Sequence, residues 1–220
     1  VDADAHNLYR YVHILLFAYW LGADLGVFIG GGAMSRPGLT VAERNRIRDL
    51  VMAIDLAPRV ALVLMLPVGF TLAVPWGEPL PAKALSPLWI AALAWAAALV
   101  CLHFRHAGPG AGLLRRLDLA ARALAFAVML YLGVRGLRAG DGGSAWLAAK
   151  FLVFAAIIAV GMALRAVSAQ WRPAIERLLA GDTAAGERML RVRRRKAVVA
   201  ALSMWFLVAA AAFLGTVKPW

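Results

Sequence analysis

The sequence predicts an all-α fold: a single domain, residues 1–220, built as an integral membrane bundle of six transmembrane helices. Three observations carry this. The chain is 63% hydrophobic and only 16% charged, whereas a soluble domain is about half apolar and about a quarter charged. Six apolar runs, near 8–32, 50–74, 87–104, 117–138, 145–168 and 197–217, are each long enough to cross the hydrocarbon core with some tilt. Between them, the basic residues collect in alternate loops.

The loops after spans one, three and five hold sixteen Lys and Arg residues, and the opposite side holds five. By the positive-inside rule both termini then face outward, which is the periplasm if the membrane is a bacterial inner (cytoplasmic) membrane. The net charge of +12 is thus a topology signal, and nucleic-acid binding is not expected. The single Cys101 excludes a disulfide within the chain and a cysteine-based metal cluster, and reads as small apolar filling. The polar, acidic start VDADAH and the length of the first apolar run argue against a cleavable signal peptide.

Span one carries a histidine and an aspartate inside its apolar run. At about 100° per residue, His13, Phe17, Trp20 and Asp24 share one helix face, and Gly22, Gly26 and Gly30 lie on roughly the opposite side. The glycine face suits close approach of a neighbour, either within the chain or in a homo-oligomer or larger membrane complex. Ionisable residues within a membrane are costly and point to function; the plainer alternative is that His13 only makes a hydrogen bond. Ser35-Arg36-Pro37-Gly38 then reads as a turn, and Thr40 with Glu43 as a capping box leading into span two. Pro58 and Pro67 predict a kink in span two. Asp141-Gly142-Gly143-Ser144 reads as a tight turn. The largest loop, 170–196, is expected to hold an amphipathic helix at 173–180 and a solvated or headgroup-facing arginine run. Trp76, Trp89, Trp146, Trp171 and Trp220 lie where an aromatic belt would.

Depth brings further residues together. Lys150 enters span five from the same side as His13 enters span one, both about 7–8 Å deep at the helical rise, although Lys150 could also snorkel outward. On the other half, Asp55/Arg59 and Asp118/Arg122 are i,i+4 pairs with the acid first, the favourable order. Asp24 has no local partner, and Arg59 or Arg122 is its expected cation. His103 and His106 are read as polar edge rather than as metal ligands, and the scattered methionines as core filling.

Tyr11-Val12-His13-Ile14 with Tyr19-Trp20-Leu21-Gly22, Ala57-Pro58 with Gly69, Trp146-Leu147-Ala148-Ala149-Lys150-Phe151-Leu152-Val153, and Val217-Lys218-Pro219-Trp220 together resemble the membrane-embedded protoporphyrinogen oxidase family and the broader copper-resistance D superfamily. The resemblance covers spans one, two, five and six. The family's second histidine on its first helix is replaced here by Gly30-Gly31-Gly32, and a histidine after the lysine by Val160-Gly161. The resemblance implies a membrane haem or porphyrin protein with haem b as cofactor, active as an oxidoreductase or in electron transfer. His13 would be the axial metal ligand, Lys150 the opposite ligand or a propionate partner, and Phe17 and Trp20 packing against the macrocycle. Lys150, Asp24 and Arg59 would be the candidate catalytic residues. Two other readings stay open: a copper-resistance-type permease or ion carrier using Asp24, Asp55, Arg59 and Arg122, with copper as the cargo, and a non-catalytic subunit joined to a larger complex through Gly22, Gly26 and Gly30.

Overall fold

Within a bilayer the backbone has only itself to hydrogen-bond, so long apolar runs become helices. The computed structural model describes residues 3–76, 80–105, 108, 110–139 and 145–219. Eight α-helices lie among them: α1 (Ala3–Ala33), α2 (Val41–Ile54), α3 (Leu56–Ala73), α4 (Leu85–Phe104), α5 (Ala111–Ala139), α6 (Ala145–Ala169), α7 (Trp171–Leu179) and α8 (Thr183–Val217). No strand occurs among the described residues. Six stretches are long and apolar enough to cross a membrane, α2 and α3 together making the second. The fold is therefore the all-α membrane bundle that composition predicts.

The boundaries follow local chemistry. Ser35 Oγ donates to Gly31 O (2.8 Å) as α1 ends, and Gly38 turns the chain at φ 79°. Thr40 and Glu43 then form the expected capping box: Thr40 Oγ1 accepts from the Glu43 backbone, and the Glu43 carboxylate accepts from Thr40 N–H at 2.8 Å. Span two does break, at Asp55 between α2 and α3. Pro58 explains the position, since it lacks the N–H that would bond the carbonyl of Ile54 and its ring crowds that carbonyl. Pro67 sits inside α3 without interrupting it. The amphipathic helix of the largest loop begins two residues earlier than expected, at Trp171.

Each spanning helix packs on its neighbour in sequence, and α1 also touches α8. The core lies around α3, where Val63, Pro67 and Val68 are fully buried; Trp20, Leu99, Ile157, Met204 and Val208 close on it from α1, α4, α6 and α8. Small residues set the closest approach. A Cβ at Gly133 or Gly136 of α5 would collide with Leu152 or Ala148 of α6. On α1, Gly30 and Gly26 are covered by Val51 and Ile54 of α2, so two of the three glycines serve packing within the chain; Gly22 alone faces open space.

The aromatic belt is only partly present. Trp146 and Trp171 are buried, Trp146 edge-on to Trp76 and Trp171 under Arg193. Trp89 donates to Thr71 Oγ1 at 3.1 Å. Trp220, His106 and the Asp141–Ser144 turn lie outside the described residues.

Candidate functional site

One cavity of about 580 Å³ lies between α1, α3, α6 and α8. Helical spacing places its first wall: Arg10, His13, Phe17 and Trp20 recur at three or four residues along α1. Lys150 and Phe154 of α6 face them, so the cavity brings together His13, Phe17, Trp20 and Lys150. Trp20 and Phe154 meet edge to face with centroids 6.4 Å apart. On α3, Gly69 lies beside the imidazole: a Cβ there would stand 3.9 Å from His13 Cε1, in ordinary contact. On α8, Gly215 leaves room for Lys150, whose ammonium occupies the place a side chain would take.

The electrostatics are one-sided. Arg10, Lys150 and Lys218 line the cavity, and no lining residue among those described is a carboxylate. Lys150 has no anionic partner among the described residues, and His13 Nδ1 is buried without a hydrogen-bond partner. Tyr9, one turn before His13 on α1, packs on Trp89 with ring centroids 5.9 Å apart. At the rim, Lys218 has left-handed backbone (φ 48°) and lays its ammonium 3.6 Å from the Trp76 ring centroid. Burial, and then the charge of Arg10, pull its pKa below the ordinary lysine value.

The other intramembrane charges form a separate set. Asp55 pairs with Arg59 as expected. Asp118 accepts from Arg122 Nε at 3.1 Å, from Trp95 Nε1 at 2.8 Å and from Arg165. Asp24 does not pair with Arg59 or Arg122: both guanidiniums are held by the acids of their own helices, and Asp24 Oδ2 accepts from Trp205 Nε1 of α8 at 2.7 Å. An indole N–H satisfies a carboxylate without a second charge. Asp24 lies about 16 Å along α1 from His13 at the helical rise. Neither Asp24 nor Arg59 lines the cavity, so the structure does not bring those two candidates to His13 and Lys150.

Arg10 stands one turn before His13 on the same face, a signal visible in the spacing. Lys218 stands in the Val217–Trp220 stretch that carries the family resemblance, without a role assigned to it there, and Gly215 carries no signal, because its use depends on how α8 packs against Lys150 of α6. The Asp and Glu residues do not gather: no group of three or more His, Cys, Asp or Glu converges among the described residues. Comparison of the chain with protein-family models, with curated proteins and with solved structures finds no match.

Proposed function

We propose that the chain is a bacterial inner-membrane protein, both termini periplasmic, that binds haem or a related porphyrin in the α1–α3–α6–α8 cavity. The observation that carries this is the convergence of His13, whose buried Nδ1 has no partner, with aromatic rings and three cations in an apolar cavity that no carboxylate lines among the described residues. The volume falls in the range of about 300–1,000 Å³ usual for small-molecule sites. Phe17, Trp20 and Phe154 present aromatic surface to a flat apolar body. Arg10, Lys150 and Lys218 present donors to the carboxylates at its edge, bonds of the charge-assisted kind. His13 would hold the iron in this reading, through a neutral ring nitrogen. Bound haem supplies a redox couple tuned by ligand identity and burial, which suits electron transfer or oxidation of a tetrapyrrole.

The test is an absorption spectrum of the protein purified in mild detergent and titrated with haemin. A Soret band saturating at one equivalent is expected, and it should be lost or shifted in His13→Ala. A wild-type protein that gives no saturable band, or a band indifferent to His13→Ala, refutes the assignment.

A further inference from the structure

At the opposite end of the bundle from the cavity, four elements meet: the end of α1, then α2, α7 and the start of α8. Arg44 of α2 is wholly buried there and fully used, donating to Met34 O and Leu39 O at 3.1 Å each and pairing with Glu187. Two other arginines are not used in this way. Arg193 is 7% exposed, lies over the Trp171 ring at 5.3 Å, and has a buried Nε without a partner. Arg194 lies along Gly31 and Gly32, 4.4 Å from the Phe28 ring centroid, and donates only to the Phe28 carbonyl. Arg48 of α2, by contrast, is half-exposed and has its own acid, Asp49, 3.6 Å away. Neither Arg193 nor Arg194 has a carboxylate partner among the described residues.

We propose that Arg193 and Arg194 form a binding site for the phosphate of an anionic phospholipid. They are neighbours on α8, and neither bonds a carboxylate; Glu187 gives one oxygen to Arg44 and keeps the other buried without a partner, so the charge that balances the two arginines comes from outside the chain. Guanidiniums held on aromatic rings are pre-oriented, which favours the forked recognition of phosphate oxygens. Depth selects the source. Arg193 is one turn ahead of the apolar run that begins at 197, about 6 Å from it along the helix axis, which is headgroup level. Basic pockets between membrane helices hold acidic headgroups in this way. The triple glycine Gly30-Gly31-Gly32 acquires a use: it makes room for Val51 and the Arg194 guanidinium, where larger residues would push both aside.

The site is tested by native mass spectrometry of the full chain released from detergent. Phosphatidylglycerol, phosphatidylcholine and inorganic phosphate are offered separately. Retention of phosphatidylglycerol over phosphatidylcholine is expected, with no competition from inorganic phosphate at equal concentration. Arg194→Gln, at a partly exposed position, should weaken that retention about fivefold. Arg193→Lys, which keeps the charge and loses the fork, should weaken it about tenfold. Equal retention of the two lipids, or an unchanged preference in Arg194→Gln, overturns the site. Protection by inorganic phosphate alone overturns the lipid as its occupant.

Discussion

Asp118 offers the sharpest test of how the bundle holds its buried charge. Its side chain is 1% exposed and accepts three donors, from Trp95 on α4, Arg122 on α5 and Arg165 on α6. Asp118→Leu removes the acceptor and strands them unequally. Arg165 is one-third exposed and can turn to headgroups or water. Arg122 cannot: its side chain is 6% exposed, and its Nη2 already lacks a partner. An uncompensated buried charge of this kind costs about 3–5 kcal/mol. The double variant Asp118→Leu/Arg122→Met removes both charges at similar volume, leaving chiefly the Trp95 indole unsatisfied, at about 1–3 kcal/mol. The double variant should therefore be more stable than the single by about 2 kcal/mol. Reversible unfolding in mixed micelles, followed by far-ultraviolet circular dichroism, measures both. A single variant that loses less than about 1 kcal/mol, or a double no better than the single, would show that this triad is not carrying an uncompensated-charge penalty.

Trp205→Phe should cost about 1.5–3 kcal/mol in the same assay by stripping Asp24 of its donor, and Asp24→Leu added to it should recover part of the loss. Gly215→Val should displace the Lys150 ammonium, raising amine labelling of Lys150 as read by peptide mass spectrometry while leaving the helical signal intact; unchanged labelling would mean that Lys150 is not held at Gly215. Reporters active only in the cytoplasm should work when fused within 170–196 and fail after residue 218. The reverse pattern would invert the orientation and leave the packing untouched.

The spans and the Thr40 cap were legible because each depends on composition or on a few adjacent residues. The break at Asp55 was legible in mechanism and displaced in position, since Pro58 disrupts the turn before it rather than its own. Convergence of His13 and Lys150 on one cavity could be reached from their common depth, the helix face of His13 and the family resemblance together. The partner of Asp24 could not. Trp205 is 181 residues away, and a tryptophan on a membrane helix reads as lipid-facing until packing shows otherwise. Trp146 and Trp171 failed for the same reason: proximity to an interface gives height in the membrane, not the direction in which a side chain points. The loop arginines were read as solvated because charge runs usually are, yet the ring faces of Trp171 and Phe28 draw two of them inward.

The cavity takes one wall from α1 and another from α8, which lie far apart in the chain. A ribosome delivers α1 well before α8, and domains form as chain emerges. Until α8 is made, His13 has α3 and then α6 beside it, but the wall that carries Gly215 and Lys218 is missing. A ligand that needs all four walls therefore arrives after α8 has inserted, and its capture is an event of maturation. A pulse-labelled chain arrested before α8 should accordingly be found in the membrane yet empty.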